Sequence, residues 1–322
     1  MIEVENLGKV YGSIAAIENI NFSVKAGEIL GFLGPNGAGK TTTMRILAGY
    51  LSATSGRATI AGFDVAEDSL EVRKRIGYLP ETPPLYLEMT VEQYLYFVAK
   101  IKGVAAGDRE TAVISALDRA QLKDKTKTII RKLSKGYRQR VGIAQAIVHD
   151  PPVIILDEPT VGLDPRQIIE VRNLIKSLAG KHSVILSTHI LPEVSMICDR
   201  VTIINRGKVV ATDTPESLMT ELSANNGYQI EVSGEIGPIE SLLSSIPGTA
   251  KVEIFPLQEN RSQIKILCQL NRDPGPAIAA QIIQAGLALY EMRRTRPSLE
   301  DVFLQLTTKE ATVVAGDIKH KN

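Results

Sequence analysis

The opening of the chain alternates apolar and polar residues between glycines, so "IEVENLGKVYG" and "AIENINFSVKAGEILGFLG" predict strands joined by turns. Near Lys40 the period changes, and "TTTMRILAGYL" predicts a helix. Residues 89–149 are mostly helical by pattern, with apolar positions three and four apart in "TVEQYLYFVAKIKG" and "RETAVISALDRAQL". The short apolar run "PPVIILDEP", bounded by prolines, predicts a strand buried on both faces. Helical spacing returns in "QIIEVRNLIKSLAG", and "KHSVILSTH" predicts another buried strand. Strand, helix, strand in that order implies an α/β fold with a parallel sheet and right-handed crossovers.

Polar "TELSANNG", residues 220–227, predicts a linker, and beyond it the pattern differs. "YQIEVSG" predicts a strand, "IESLLSSI" a helix, "AKVEIFP" and "QIKILCQL" strands, "PAIAAQIIQAG" a helix and "LALYEMR" a strand. This β-α-β-β-α-β order is the ferredoxin-like split pattern. A closing helix is expected in "SLEDVFLQL", with Leu299, Val302, Phe303 and Leu306 on one stripe and Ser298 and Asp301 spaced as a capping box. The expected organisation is an α/β domain over residues 1–220, with a helical subdomain at about 85–150, then a linker at 221–227. A small α+β domain over 228–307 and a frayed tail over 308–322 complete it.

Composition narrows the function. Of 322 residues, 44% are hydrophobic and 23% charged, as in ordinary globular proteins, and the net charge is +1. Residues 221–322 hold 10 Lys+Arg and 12 Asp+Glu, leaving 27 and 24 for residues 1–220. Neither part has the positive excess of a domain that grips a phosphodiester backbone, so no nucleic-acid partner is expected. Cys198 and Cys268 form no metal-like or CxxC spacing and are expected as small apolar residues in a reducing compartment. "MIEVENLGKV" carries acids where a basic leader would begin, so no signal peptide is expected. No run approaches the ~18 apolar residues that cross a bilayer, so any membrane-spanning part must come from another subunit.

"GPNGAGKTT", residues 34–42, matches G-x-x-x-x-G-K-[ST] between a predicted strand and a predicted helix. Gly34, Gly37 and Gly39, with Asn36, Ala38 and Thr42, let consecutive backbone N–H groups curl around phosphate oxygens, assisted by the helix amino terminus. Lys40 is expected on the β- and γ-phosphates, with the Thr41 hydroxyl on Mg²⁺. Asp157 ends a hydrophobic strand beside that loop, where an acid is expected to hold Mg²⁺ through water. Glu158 is placed to polarise the attacking water. His189, after the next strand, is a candidate γ-phosphate contact.

The stretch "KLSKGYRQRVG", residues 132–142, concentrates cations, and a short charge run is by itself an ordinary solvated helix face. With the residues around it, however, it resembles the ATP-binding cassette family, whose signature is Leu-Ser-Gly-Gly-Gln about twenty residues before the acidic strand. Here the positions are Leu133, Ser134, Lys135, Gly136 and Tyr137. The resemblance runs from residue 2 to about 218 and includes Tyr11 in "VYG", the place of an adenine-stacking aromatic, and Asp164 in "VGLDP", the D-loop. It implies a RecA-like P-loop NTPase core with antiparallel β and helical subdomains, ATP and Mg²⁺, and ATP hydrolysis. It also implies head-to-tail pairing of two cassettes, as a homodimer or with a related chain, in which Ser134 and the Gly136 backbone close on the γ-phosphate held by the partner's loop. Lys135 and Tyr137 depart from the family's Gly and Gln. Glu81, in "YLPETPPLY", stands where the family has its Q-loop glutamine, and either approaches Mg²⁺ or acts only in coupling.

A cassette without transmembrane segments resembles the nucleotide-binding subunit of a multi-subunit transporter, held at the cytoplasmic face of the cytoplasmic membrane by a separately encoded permease. Residues 82–100 would then receive the permease's coupling helix. "YLPE", "LSKGYRQR" and "SLEDVFLQLT" resemble bacterial exporter cassettes of the drug-resistance, gliding-motility and copper-processing kind. The alternatives are a non-transport cassette ATPase of translation or repair, and an importer cassette with a regulatory carboxy-terminal domain. One cassette, no heptad insertion and no strongly basic domain weigh against the first.

Overall fold

The protein is described by a computed structural model covering residues 1–221, 227–258, 260–269 and 272–295. The closing helix, the tail and most of the expected linker lie outside the described residues. Contacts divide the chain into two compact units, Met1–Pro215 and Glu216–Asn322.

In the first unit β1 (Ile2–Tyr11) and β2 (Ile14–Val24) pair as a hairpin, and β3 (Ile29–Leu33) leads through a loop into α1 (Lys40–Leu47). β4 (Ser55–Ile60), β5 (Phe63–Asp64), α2 (Ser69–Arg75) and β6 (Ile76–Leu79) follow. Next come α3 (Val91–Ile101), α4 (Arg109–Arg119) and α5 (Lys135–Ile147), then β7 (Val153–Asp157), α6 (Pro165–Lys176) and β8 (Ser183–Thr188). α7 (Leu191–Ile197), β9 (Arg200–Asn205) and β10 (Lys208–Asp213) end the series, and α8 (Pro215–Glu221) begins at the last residue of this unit.

One sheet has the order β10-β9-β3-β8-β7-β6, parallel from β9 to β6 with an antiparallel edge at β10. Every residue of β3, β7 and β8 is buried, as expected of strands covered on both faces. A second, antiparallel sheet, β2-β1-β4-β5, shares a core with the first through Ile2, Ile20, Phe32, Met44, Ile155 and Ile185. Truncating a core isoleucine such as Ile155 to alanine costs about 2–5 kcal/mol.

α1 stops at Leu47, short of the Leu51 that the pattern allows. Gly49 adopts φ 67° and donates its amide to Ile46, while Tyr50 reaches back to Arg45, a left-handed helix terminus that glycine makes cheap. α3 starts where Thr90 and Gln93 cap each other reciprocally.

The second unit runs β11 (Gly227–Ser233), α9 (Ile239–Ser244), β12 (Thr249–Pro256), β13 (Arg261–Cys268), α10 (Gly275–Gln284) and β14 (Ala288–Thr295). Its antiparallel sheet has the order β12-β13-β11-β14, and Ile230, Val232, Leu243, Ile264, Ile266 and Ile278 form its core. Among the described residues no helix is long and apolar enough to cross a membrane.

Candidate active site

The loop between β3 and α1 has backbone that only glycine accepts comfortably. Gly37 and Gly39 have φ 79° and 106°. A Cβ at Gly34 would lie 2.4 Å from the Ile204 carbonyl oxygen, and one at Gly39 would lie 2.5 Å from an Ile17 methyl. Ala38 is buried and anchors the loop instead of facing the ligand space: its carbonyl accepts from the Gly207 amide at 2.9 Å. Lys40 opens α1 and is also buried. Its ammonium donates to the carbonyls of Gly34 and Pro35 at 2.7 and 3.2 Å and pairs with Glu158 Oε1 at 3.2 Å.

Parallel pairing of β7 with β8 sets Asp157 beside Ser187. The Ser187 hydroxyl donates to Asp157 Oδ1 at 2.5 Å, and the Thr41 hydroxyl donates to the same oxygen at 3.4 Å. Asp157 Oδ2 is buried without a hydrogen-bond partner among the described residues. Burial raises the Asp157 carboxyl above its ordinary range, as do the nearby charges of Glu158 and Glu81, while the Ser187 and Thr41 hydrogen bonds oppose the shift. An unpartnered carboxylate oxygen beside the Thr41 hydroxyl offers hard oxygen donors, and these two residues fit Mg²⁺, which takes few protein ligands.

Glu158 carries φ 50°, a left-handed conformation that costs a non-glycine residue about 1–2 kcal/mol and recurs at functional sites. Its own amide donates to the Ser187 carbonyl at 3.0 Å, which holds the backbone in place. The side chain is shared between two partners: Oε1 meets Lys40, and Oε2 accepts from His189 Nδ1 at 2.9 Å. His189 follows β8 directly and is partly exposed.

Asn36, Gly37, Gly39, Lys40, Thr41, Thr42, Glu81, Glu158 and His189 line one cavity of about 400 Å³, together with Ala16 and Val161. Gly34, Ala38 and Asp157 stand behind its wall and are not among the lining residues. Tyr11, 47% exposed at the end of β1 with Lys9 Nζ 5.5 Å above its ring, does not line it either.

Ser134, Gly136 and Asp164 belong to a different place. Ser134 caps α5, its hydroxyl accepting from the Tyr137 amide at 3.4 Å. Asp164 caps α6 and forms a reciprocal box with Gln167. The two helix starts touch: a Cβ on Gly136 would sit 2.4 Å from the Gln167 side chain. Lys135 extends its ammonium against Gly162, where an added Cβ would lie 2.0 Å away. A second cavity, about 480 Å³, has Lys135 and Arg138 in its wall, and Glu81 and Val161 line both cavities. The cations of residues 132–142 are in part internal: Arg140 is buried and paired with Glu170, and Arg138 donates to the Leu133 carbonyl at 3.1 Å.

Sequence pattern does not single out Ser187, Ala16 or Val161. Ser187 leaves a trace, a hydroxyl in the apolar run "SVILST" just before His189. Ala16 and Val161 leave none.

The family described as ABC transporter matches residues 17–161. The chain is 32% identical over 308 residues to the linearmycin resistance ATP-binding protein of Bacillus subtilis (strain 168), covering 95% of this chain and 98% of that protein. It is 42% identical over 212 residues to the bacitracin transport ATP-binding protein of Bacillus licheniformis, covering 65% and 68%. Among solved structures, an ATP-binding subunit of an ABC transporter superposes with TM-score 0.63 at 32% identity, over 69% of this chain and 93% of that one. A dimeric ATP-binding cassette in a post-hydrolysis state with ADP and Pi gives 0.61 at 27% identity, over 66% and 98%. With phosphate loop, acidic strand and signature helix on one such core, the chain belongs to the ATP-binding subunits of ABC transporters.

Proposed function

We propose that this ATPase works as one of two identical cassettes paired head to tail, and that it drives export through a separate permease at the cytoplasmic face of the membrane. Resistance and bacitracin transport in the names of its relatives, with Nod factor export in that of a Rhizobium etli protein 32% identical over 310 residues, favour export. The single observation that carries the mechanism is Glu158 held between Lys40 and His189 at the wall of the phosphate-loop cavity.

The backbone of residues 36–42 cradles the phosphates, and Tyr11 stacks on adenine from the neighbouring hairpin. Without nucleotide, Lys40 and Glu158 neutralise each other. Phosphate oxygens compete for the ammonium, and the carboxylate is then free to take a proton from water. Water's oxygen bonds to the γ-phosphorus as the bond to the β–γ bridging oxygen breaks, giving ADP and phosphate, with His189 steadying the γ-phosphoryl group. Thr41 and Asp157 would hold Mg²⁺, with Glu81 at the cavity wall as a further candidate ligand, and the ion would supply positive charge against the phosphates. Ser134 and Gly136 close on the γ-phosphate of the opposite subunit, with Asp164 beside them, because a helix amino terminus offers unpaired N–H groups to an anion.

Replacing Glu158→Gln keeps the shape and removes the base. ATP turnover is expected to fall about 100-fold or more while ATP still binds. Near-parental turnover would remove Glu158 from this role.

A further inference from the structure

The mechanism leaves one deeply buried charge unused. Glu193, in the first turn of α7, is fully buried among Leu191, Val194 and Ile197, where an apolar side chain would cost far less. Its Oε2 accepts from the Thr188 hydroxyl at 2.9 Å. That hydroxyl in turn accepts from the Ile190 amide at 3.0 Å. The residues on both sides of His189 are therefore tied to one carboxylate. Thr188 also reaches the phosphate loop, its carbonyl accepting from the Gly34 amide at 3.3 Å. On its other side Glu193 faces Arg172 of α6 at 3.6 Å, a loose pair in which Arg172 Nε and Glu193 Oε1 lack hydrogen bonds among the described residues. α6 is the helix capped by Asp164.

We propose that Glu193 and Thr188 are positioning residues for His189, and that the Arg172–Glu193 pair links the Asp164-headed helix to that histidine. This rests on His189 acting in hydrolysis. A buried carboxylate with one firm and one loose partner gains a better second bond if α6 shifts toward it, and the Thr188 tether carries that shift to both flanks of His189. The tether adds no group to the reacting atoms. It fixes where the imidazole stands.

The test is steady-state ATPase and nucleotide binding of the full chain carrying Thr188→Val, Thr188→Ser or Glu193→Gln, each with His189 intact and with His189→Ala. Thr188→Val, equal in shape but without the hydroxyl, is expected to lower kcat about 10-fold with KM for ATP within about 2-fold. Thr188→Ser retains the hydroxyl and should restore kcat. With His189→Ala already present, Thr188→Val should cost less than about 1.5-fold more, since residues acting as one unit are not additive. Glu193→Gln keeps an acceptor for Thr188 and gives up the charge facing Arg172, so its kcat should lie between those of the parent and Thr188→Val. Parental kcat in Thr188→Val, or equal losses with and without His189, would overturn the tether while leaving the role of His189 intact. Parental kcat in His189→Ala alone would instead remove that role, and the tether with it.

Discussion

The phosphate-loop cavity and the capped starts of α5 and α6, both within the first unit, are built in opposite ways. Around Lys40, Asp157 and Glu158 the charged side chains are buried: Lys40 pairs with Glu158, and Asp157 takes the Ser187 and Thr41 hydroxyls on one oxygen. Around Ser134, Gly136 and Asp164 the backbone is fixed by helix caps, but the capping hydroxyl and carboxylate are exposed and, among the described residues, engage their own helix starts. The first is a buried receptor in which Lys40 and Glu158 are paired and one Asp157 oxygen is left without a hydrogen bond among the described residues. The second is a pair of exposed, capped helix starts, a kind of surface that suits an anion. Such a division suits a site shared between two subunits, because the half that holds the nucleotide must be stable alone and the half that closes on it must be accessible.

The contrast predicts different penalties. Asp157→Asn attacks the buried end, and ATPase should fall about 100-fold, as for removal of a preorganised charge. The same change should stabilise the fold. A carboxyl raised by burial contributes stability that is full below its ordinary value of 3.8 and is lost as pH rises through its higher folded value. At neutral pH that contribution is absent and the ionised buried group opposes folding, so the asparagine variant should melt about 2–4 °C higher. A lower melting temperature at pH 7 would mean that Asp157 is structural.

Glu81→Gln probes the junction of the two cavities. If Glu81 faces the metal, the Mg²⁺ needed for half-maximal nucleotide binding should rise about 10-fold. An unchanged requirement with altered transport coupling would assign Glu81 to coupling alone. Gly136→Ala probes the exposed end. Its new methyl must displace Gln167 and loosen the Asp164 box, which should cost about 1 kcal/mol and leave ATP affinity of the single subunit unchanged. Thermal melting and nucleotide titration separate the two effects.

The same contrast explains what was legible beforehand. The phosphate loop is contiguous, and Gly37 and Gly39 answer a local backbone demand, so residues 34–42 can be read directly. The buried strands announce themselves as apolar runs, and Asp157 and His189 follow from their ends. Contacts made across the fold were not legible. Ser187 meets Asp157 only because β7 and β8 pair in one register, and Ala16 enters the cavity only because the hairpin folds over the loop. The cation run at residues 132–142 misleads in the other direction, since Arg140 is spent on Glu170 inside the unit. Short β6 offers too few residues for a period to show, although it delivers Glu81 to the cavity.

The most direct test asks whether Ser134 serves its own ATP or that of a partner. Glu158→Gln and the double variant Glu158→Gln with Ser134→Arg should be compared by size-exclusion chromatography with ATP and by nucleotide titration of the monomer. The account predicts a dimer for the first, a monomer for the second, and the same ATP affinity for both monomers within about 2-fold. A double variant that still dimerises, or whose monomer loses ATP, would contradict a site completed by the second subunit.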